Sequence, residues 1–162
     1  MAKVLQEGWE LSASGLTAVW AEENTRDAIF RAMKRREVYA TTGPRIQLRF
    51  FGGWGFERAD LERPDYAVQG YRGGVPMGGD LSRPERAGIA PRFMIVAARD
   101  PDGANLDRVQ VIKGWLDEAG QTHEKIYNVA LSNGRQVDPA TGEAPPVGST
   151  VNLDEPGSRN SI

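Results

Sequence analysis

The stretch from Val38 to Phe51, VYATTGPRIQLRFF, constrains this chain more than any other. It leaves a basic segment, bends at Gly43-Pro44 and continues with Ile46, Leu48 and Phe50 on one side and Arg45, Gln47 and Arg49 on the other. Side chains alternate between the two faces of a strand, so this period of two predicts a half-buried strand whose apolar side is the Ile46, Leu48, Phe50 side. Such a strand needs a cover from elsewhere in the chain.

With 162 residues, 40% of them hydrophobic and 26% charged, the chain is long enough for one modest core. Its 19 glycines and 10 prolines predict frequent turns and argue against a helical bundle, so a mainly β fold with one α-helix is expected. A formal charge of -2 gives no basic footprint for phosphates, and nucleic acid is not an expected partner. The absence of cysteine removes disulfides, thiolate nucleophiles and Cys-ligated zinc, and leaves cytoplasm and periplasm both open. No apolar run reaches signal-peptide length or the ~20 residues of a membrane helix, so a soluble piece without a membrane partner is expected.

Residues 1–21 sustain neither period and read as an extended approach. Asn24 followed by Asp27 resembles a capping box and predicts a helix from about Thr25 to Arg36. Ala28, Ile29, Ala32 and Met33 share one face of it, and Lys34-Arg35-Arg36 fall in the last turn, where cations suit the carbonyl end and a solvated helix end is expected. From Asp60 to Gly70 no period is sustained, which predicts an excursion between strands. Gly73 to Leu81, GGVPMGGDL, has the glycine content of an anion-cradling loop. No Lys-Ser or Lys-Thr follows it and Pro76 removes a donor, so a turn between short strands is the expectation.

Arg92 to Arg99, RFMIVAAR, is apolar on both faces and predicts a central strand, the best core candidate. Leu106 to Trp115 and Thr122 to Leu131 follow at hairpin spacing, and the three together predict an antiparallel meander within a sandwich. Beyond Ser132 turn formers dominate; only Val147 to Leu153 has strand character, and most of the tail is expected to be poorly ordered.

Residues with reactive chemistry are sparse. His123 has no second histidine and no cysteine to complete a transition-metal site, and reads as a partly exposed strand histidine. Asp100, Asp102, Asn105 and Asp107 supply oxygen donors as a calcium loop would. Ala104, however, stands where an EF-hand would place its third ligand and no Glu closes the loop, so a plain turn is the competing reading. Ser12, Ser14, Ser82 and Ser132 lie outside any Gly-x-Ser-x-Gly elbow, and Glu22-Glu23 sit where acids serve a helix entrance. Trp9, Trp20, Trp54 and Trp115 fit either core packing or a sugar-stacking platform. No catalytic residue and no metal ligand is assigned.

Taken together, WAEENTRDAIFRAMKRREVYATTGPRI at Trp20 to Ile46, RFFGGWGF at Arg49 to Phe56, GVPMGGDL at Gly74 to Leu81 and DPDGANLDRVQVIKGWLD at Asp100 to Asp117 resemble the C-terminal part of one bacterial family. That family is the domain of unknown function 3604 group, related to the PHP (polymerase and histidinol phosphatase) superfamily of metal-dependent hydrolases. The resemblance implies an upstream barrel-like catalytic domain that binds divalent metal (Zn, Mn or Fe) through histidines and carboxylates, followed by a β-rich region. On this reading residues 1–37 are the end of the α/β PHP-type barrel, with its last helix at about 25–36. Residues 38–154 form an incomplete, Ig-like antiparallel β-sandwich that lacks a further strand rich in Tyr and Val, and 155–162 are a disordered tail.

The resemblance further implies a fragment that is not catalytic alone, because one histidine without cysteine cannot reproduce a histidine-rich cluster. Its partners would be the N-terminal catalytic domain of the same parent and a small anionic substrate, a phosphoester or other ester. Thr41, Thr42 and Arg45 are the positions expected to face that substrate, since two hydroxyls and a guanidinium beside a glycine turn suit an oxyanion. A structural turn with Arg45 paired to a carboxylate is the rival for those residues. For the whole chain, the rival is a free-standing, non-catalytic β-sandwich module that binds carbohydrate or a protein partner.

Overall fold

The structure is a computed structural model, and it describes residues 15–84 and 86–147. The chain is mainly β, with three antiparallel sheets and a few short helices among the described residues. It forms two compact units, one ending at Ala98 and the other beginning at Arg99.

In the first unit β1 (Leu16–Val19) pairs antiparallel with β2 (Val38–Thr41), from Leu16 opposite Thr41 to Val19 opposite Val38. Part of the expected approach segment is thus a strand. Helix α1 (Arg26–Lys34) lies between them in sequence. Its N-cap is Thr25, whose Oγ1 accepts the Ala28 N–H at 3.3 Å, so the cap lies one residue beyond the Asn24 expected from the sequence. The helix also ends early: Arg35 is the C-cap and Arg36 turns to φ 61°, the left-handed region that stops a helix. Ala28 and Ala32 are the buried stripe, while Phe30 and Met33 are exposed.

Strand β3 (Gln47–Gly53) is the middle of a second sheet, between β4 (Gly74–Pro76) and β5 (Arg92–Ala98), with both pairings antiparallel. The period of two is present, but the core lies on the face expected to be polar. Phe51 is 2% exposed, whereas Leu48 and Phe50 are half-buried. The reason is a cover invisible to local pattern. Two short helices, α2 (Arg58–Leu61) and α3 (Tyr66–Gly73), occupy the region expected to be an excursion. Helix α3 presses on the face that carries Arg49 and Phe51. A Cβ at Gly70 would stand 2.6 Å from the Phe51 ring, and the Tyr71 ring meets that ring edge-on at 5.2 Å. Only glycine permits that approach.

Phe51, Phe56 and Met94 form the apolar cluster, with Phe51 opposite Met94 across the strands. Side chains of this size each contribute about 1.5–3 kcal/mol when fully buried. The opposite face of the sheet carries Phe50 stacked on Phe93 at 5.3 Å. Phe93 is 48% exposed, so β5 is buried on one side rather than two. The glycine-rich turn has a packing role: Gly78, at φ 79°, lies against Arg36, where a Cβ would fall 2.2 Å from the carbonyl oxygen. Asp80 then pairs with the Arg36 guanidinium at 3.2 Å.

In the second unit β6 (Arg108–Leu116) and β7 (Thr122–Leu131) form an antiparallel hairpin with a register shift between Val109 and Gln110. The expected three-stranded meander is therefore corrected: β5 pairs with β3, and among the described residues β6 pairs with β7 alone. A 3-10 turn at Ser132–Gly134 follows β7. Arg135 donates to the Ser132 and Pro145 carbonyls at 3.0 and 2.6 Å, so the first part of the expected loose tail is tied down. The edge strand expected at Val147 to Leu153 lies, apart from Val147, outside the described residues, as does the tail at 155–162.

Candidate functional site

The first unit holds an open cleft of about 500 Å³, lined by Trp20, Ala21, Glu22, Arg35, Glu37, Arg49 and Tyr71. Each wall follows from the elements above. Trp20 comes directly after β1; its backbone N–H donates to the Glu37 carbonyl at 3.0 Å and its indole N–H to the Leu48 carbonyl at 2.9 Å. The tryptophan is thereby fixed to both β-sheets of the unit. Glu37 sits in the link from α1 to β2, its N–H bonded to the Ala32 carbonyl at 3.1 Å. Arg49 projects from the face of β3 that α3 covers, and α3 brings Tyr71 to it.

Glu37 is 4% exposed, and a buried carboxylate requires partners. The Tyr71 hydroxyl donates to its Oε1, and the Arg35 guanidinium donates to Oε2 at 3.4 Å. Tyr71 in turn accepts an N–H from Arg49 Nη1 at 3.1 Å. The Arg49 guanidinium lies 3.6 Å above the Trp20 ring, a close cation–π stack. Burial first and the Glu37 bond second raise the pKa of the Tyr71 phenol above its ordinary value, with Arg49 pulling the other way. The phenol stays neutral and links a carboxylate to a guanidinium.

Arg49 differs from the other arginines of the unit that face acids. Among the described residues Arg35, Arg36, Arg58 and Arg63 of this unit form ion pairs, and Arg49 does not. A guanidinium held close over an indole, with donors left over and no carboxylate on them among the described residues, is arranged to receive an oxyanion. The basic triplet is exposed, as expected of a solvated helix end, and two of its members also pair, Arg35 with Glu37 and Arg36 with Asp80.

The corner between β2 and β3 holds Thr41, Thr42 and Arg45. Thr41 is half-buried and its Oγ1 accepts the Gly43 N–H at 3.4 Å. Gly43 takes φ 132°, which few side-chain-bearing residues adopt. Thr42 and Arg45 are exposed, and Arg45 has a contact of its own. None of the three lines the cleft.

Several of the remaining candidates fall in the second unit. His123 Nε2 lies 2.8 Å from Asp117 Oδ2, and the ring stacks on Trp115 at 5.3 Å. That contact, followed by the Gln121 backbone N–H, holds the Asp117 carboxyl below the usual carboxylate range. The loop considered for calcium is filled by the chain's own cation: Arg99 Nη1 donates to the carbonyls of Asp100, Pro101 and Gly103 at 3.1, 3.1 and 3.3 Å. Asp107 is engaged by Arg108 at 2.7 Å and Arg135 at 2.6 Å; Arg108 is the larger cause of its lowered pKa. Among the described residues no three His, Cys, Asp or Glu side chains are placed to hold a metal ion. Trp54 donates to the Ser82 carbonyl at 3.1 Å, Trp115 is 40% exposed, and Trp9 is outside the described residues. Among those residues no helix is long and apolar enough to cross a membrane.

Sequence reasoning missed the cleft because its residues come from four separated segments. The one local signal was Glu37, an acid placed directly after three consecutive cations. Tyr71 lay just past a stretch without period, and Arg49 on the strand face taken for solvent.

The family described as protein of unknown function (DUF3604) matches residues 1–162. No curated protein and no solved structure matches the chain.

Proposed function

The chain belongs to the DUF3604 family, and from that premise we propose that it is the C-terminal, non-catalytic portion of a PHP-like metal-dependent hydrolase of phosphoesters or other esters. In this reading the three antiparallel sheets are parts of an incomplete Ig-like sandwich, and α1 is the last helix of a PHP-type barrel. Zn, Mn or Fe would be held by the catalytic domain of the same parent and would activate water there. The residues described here do not fit that metal: the sole histidine already faces Asp117, and a hydrolytic site needs several ligands with one position open.

The observation that carries the reading is the bend after β2, where Thr42 and Arg45 are exposed on either side of Gly43 and Pro44. It offers a hydroxyl and a guanidinium to a small anionic substrate. Metal analysis by mass spectrometry on this chain and on an upstream-extended form tests the first half, with metal expected only in the longer protein. Stoichiometric Zn, Mn or Fe on the 162-residue chain overturns it. In the extended form Thr42→Ala and Arg45→Gln are expected to raise KM for an anionic ester by about tenfold each with kcat little changed.

A carbohydrate-binding module is the second reading, favoured by exposed Trp115 and Tyr127 on one face of the β6–β7 hairpin. Retardation of the chain in polysaccharide gels, lost in Trp115→Ala, would select that reading over the first.

A further inference from the structure

We propose that the cleft between Trp20, Arg49 and Tyr71 is a binding site for an oxyanion, a phosphoryl or carboxylate group, carried on a planar or apolar body. It is separate from the β2–β3 corner and does not depend on the hydrolase reading.

The assignment starts from charge. Glu37 is buried and both its oxygens are engaged, one by the Tyr71 hydroxyl and one by Arg35. Its negative charge is therefore answered without Arg49. Arg49 keeps its own charge, half-buried, with one hydrogen bond to a neutral phenol oxygen and no carboxylate in ion-pair reach among the described residues. A buried or half-buried guanidinium in a folded chain normally finds an anion, and the missing anion is supplied by a ligand.

Geometry then fixes how the anion would arrive. The Trp20 ring, 3.6 Å from the guanidinium carbon, blocks that side of Arg49, so the ligand approaches away from the indole, along the remaining N–H donors. Trp20 is itself immobilised by two hydrogen bonds, and Tyr71 by its bonds to Glu37 and Arg49. The donors are thus preorganised, and little ordering is left for binding to offset. Arg35 lines the same cleft with a half-exposed side chain, its charge answering Glu37, so Arg49 is the cation left for the ligand. The aromatic wall favours a ligand with a flat or apolar portion. Glu22, exposed at the rim, opposes an incoming anion and sets the sign of one test.

The full 162-residue chain is titrated with inorganic phosphate, phenyl phosphate and benzoate. Binding is followed by calorimetry and by the NMR resonances of the Arg49 Nε–H and the Trp20 indole N–H. Saturable binding with Kd about 1 mM is expected for at least one ring-bearing anion, tighter than for inorganic phosphate. Phenyl phosphate ahead of benzoate assigns the phosphoryl group, and the reverse order assigns the carboxylate. Arg49→Gln should weaken binding at least about tenfold, a loss of about 1.4 kcal/mol. Arg49→Lys, which keeps the charge but not the fork, should bind about threefold more weakly than the native chain. Glu22→Gln should tighten binding, and the Trp20 indole N–H resonance separates this site from the substrate corner. The proposal is overturned if the native chain shows no saturable binding of any of the three anions, or if Arg49→Gln binds as tightly as the native chain.

Discussion

Arg49 in the first unit and Arg135 in the second show two uses of one side chain. Arg135 donates to the Ser132 carbonyl and hydroxyl, the Pro145 carbonyl, and both the carbonyl and carboxylate of Asp107. Its fork is full, and its role is to knit the segment after β7 to the start of β6. Arg49 has one hydrogen bond and an aromatic floor. The contrast extends to the units around them. The first has an apolar cluster of Phe51, Phe56 and Met94 beneath a helix, whereas the hairpin of the second leaves Ile112, Leu116, Ile126 and Val129 exposed. Among the described residues the first unit is held by apolar packing, whereas Arg135 ties the second through polar groups, where the Asn105 side-chain amide is nonetheless buried without a partner.

The largest expected effect that would break this contrast is at the core. Phe51→Ala should destabilise the first unit by about 3–5 kcal/mol in urea denaturation, since both a large ring and its contacts with Gly70 and Tyr71 are removed. A loss below about 1 kcal/mol would mean that the cluster is not what holds the sheet. Next, Arg135→Gln should cost about 1–3 kcal/mol, because Ser132 and Asp107 lose their shared donor. Hydrogen exchange at the Ser132 N–H, which donates to the Asp107 carbonyl at 3.1 Å, reads that loss locally.

Tyr71→Phe sharpens the cleft side of the comparison, with an expected cost of about 1 kcal/mol. The phenol pKa is raised in the folded chain, so its contribution is complete below pH 10.0 and is lost as pH climbs through the raised value. Ultraviolet titration should show a phenol ionising above the ordinary tyrosine range, and that late component should vanish in the Phe variant. The smallest effect is at the hairpin tip. The depressed pKa of Asp117 makes its contribution complete above the ordinary 3.8, and it is lost as pH falls through the lower folded value. Asp117→Asn should flatten that acid response in the amide shifts of Ala119 and Gln121, whose N–H groups the carboxylate accepts at 2.9 and 2.8 Å.

The hairpin was the most legible part of the chain. Strand β7 spans the Thr122 to Leu131 expected, and β6 is displaced by only a residue or two, because alternation and a turn between two runs are local signals. Strand β3 was legible in period and reversed in face, since the choice of face is made by α3, whose eight residues are too few to display a period of their own. The cleft was less legible still. Arg49, Glu37 and Tyr71 acquire meaning only when β3, the α1–β2 link and α3 converge, and no spacing in the sequence encodes that meeting.

The clasp of Gly78 and Asp80 on Arg36 has a kinetic consequence. Arg36 and Asp80 are 44 positions apart, and the left-handed turn that ends α1 is braced by the loop that carries them together. The brace on the carboxyl end of the helix, whose own backbone bonds are local, is therefore added only after a long excursion of chain has returned, and the entropy of closing that excursion must be met first. Lengthening the segment between α2 and α3 should slow refolding while leaving the unfolding rate nearly unchanged, the signature of a closure made before the rate-limiting barrier.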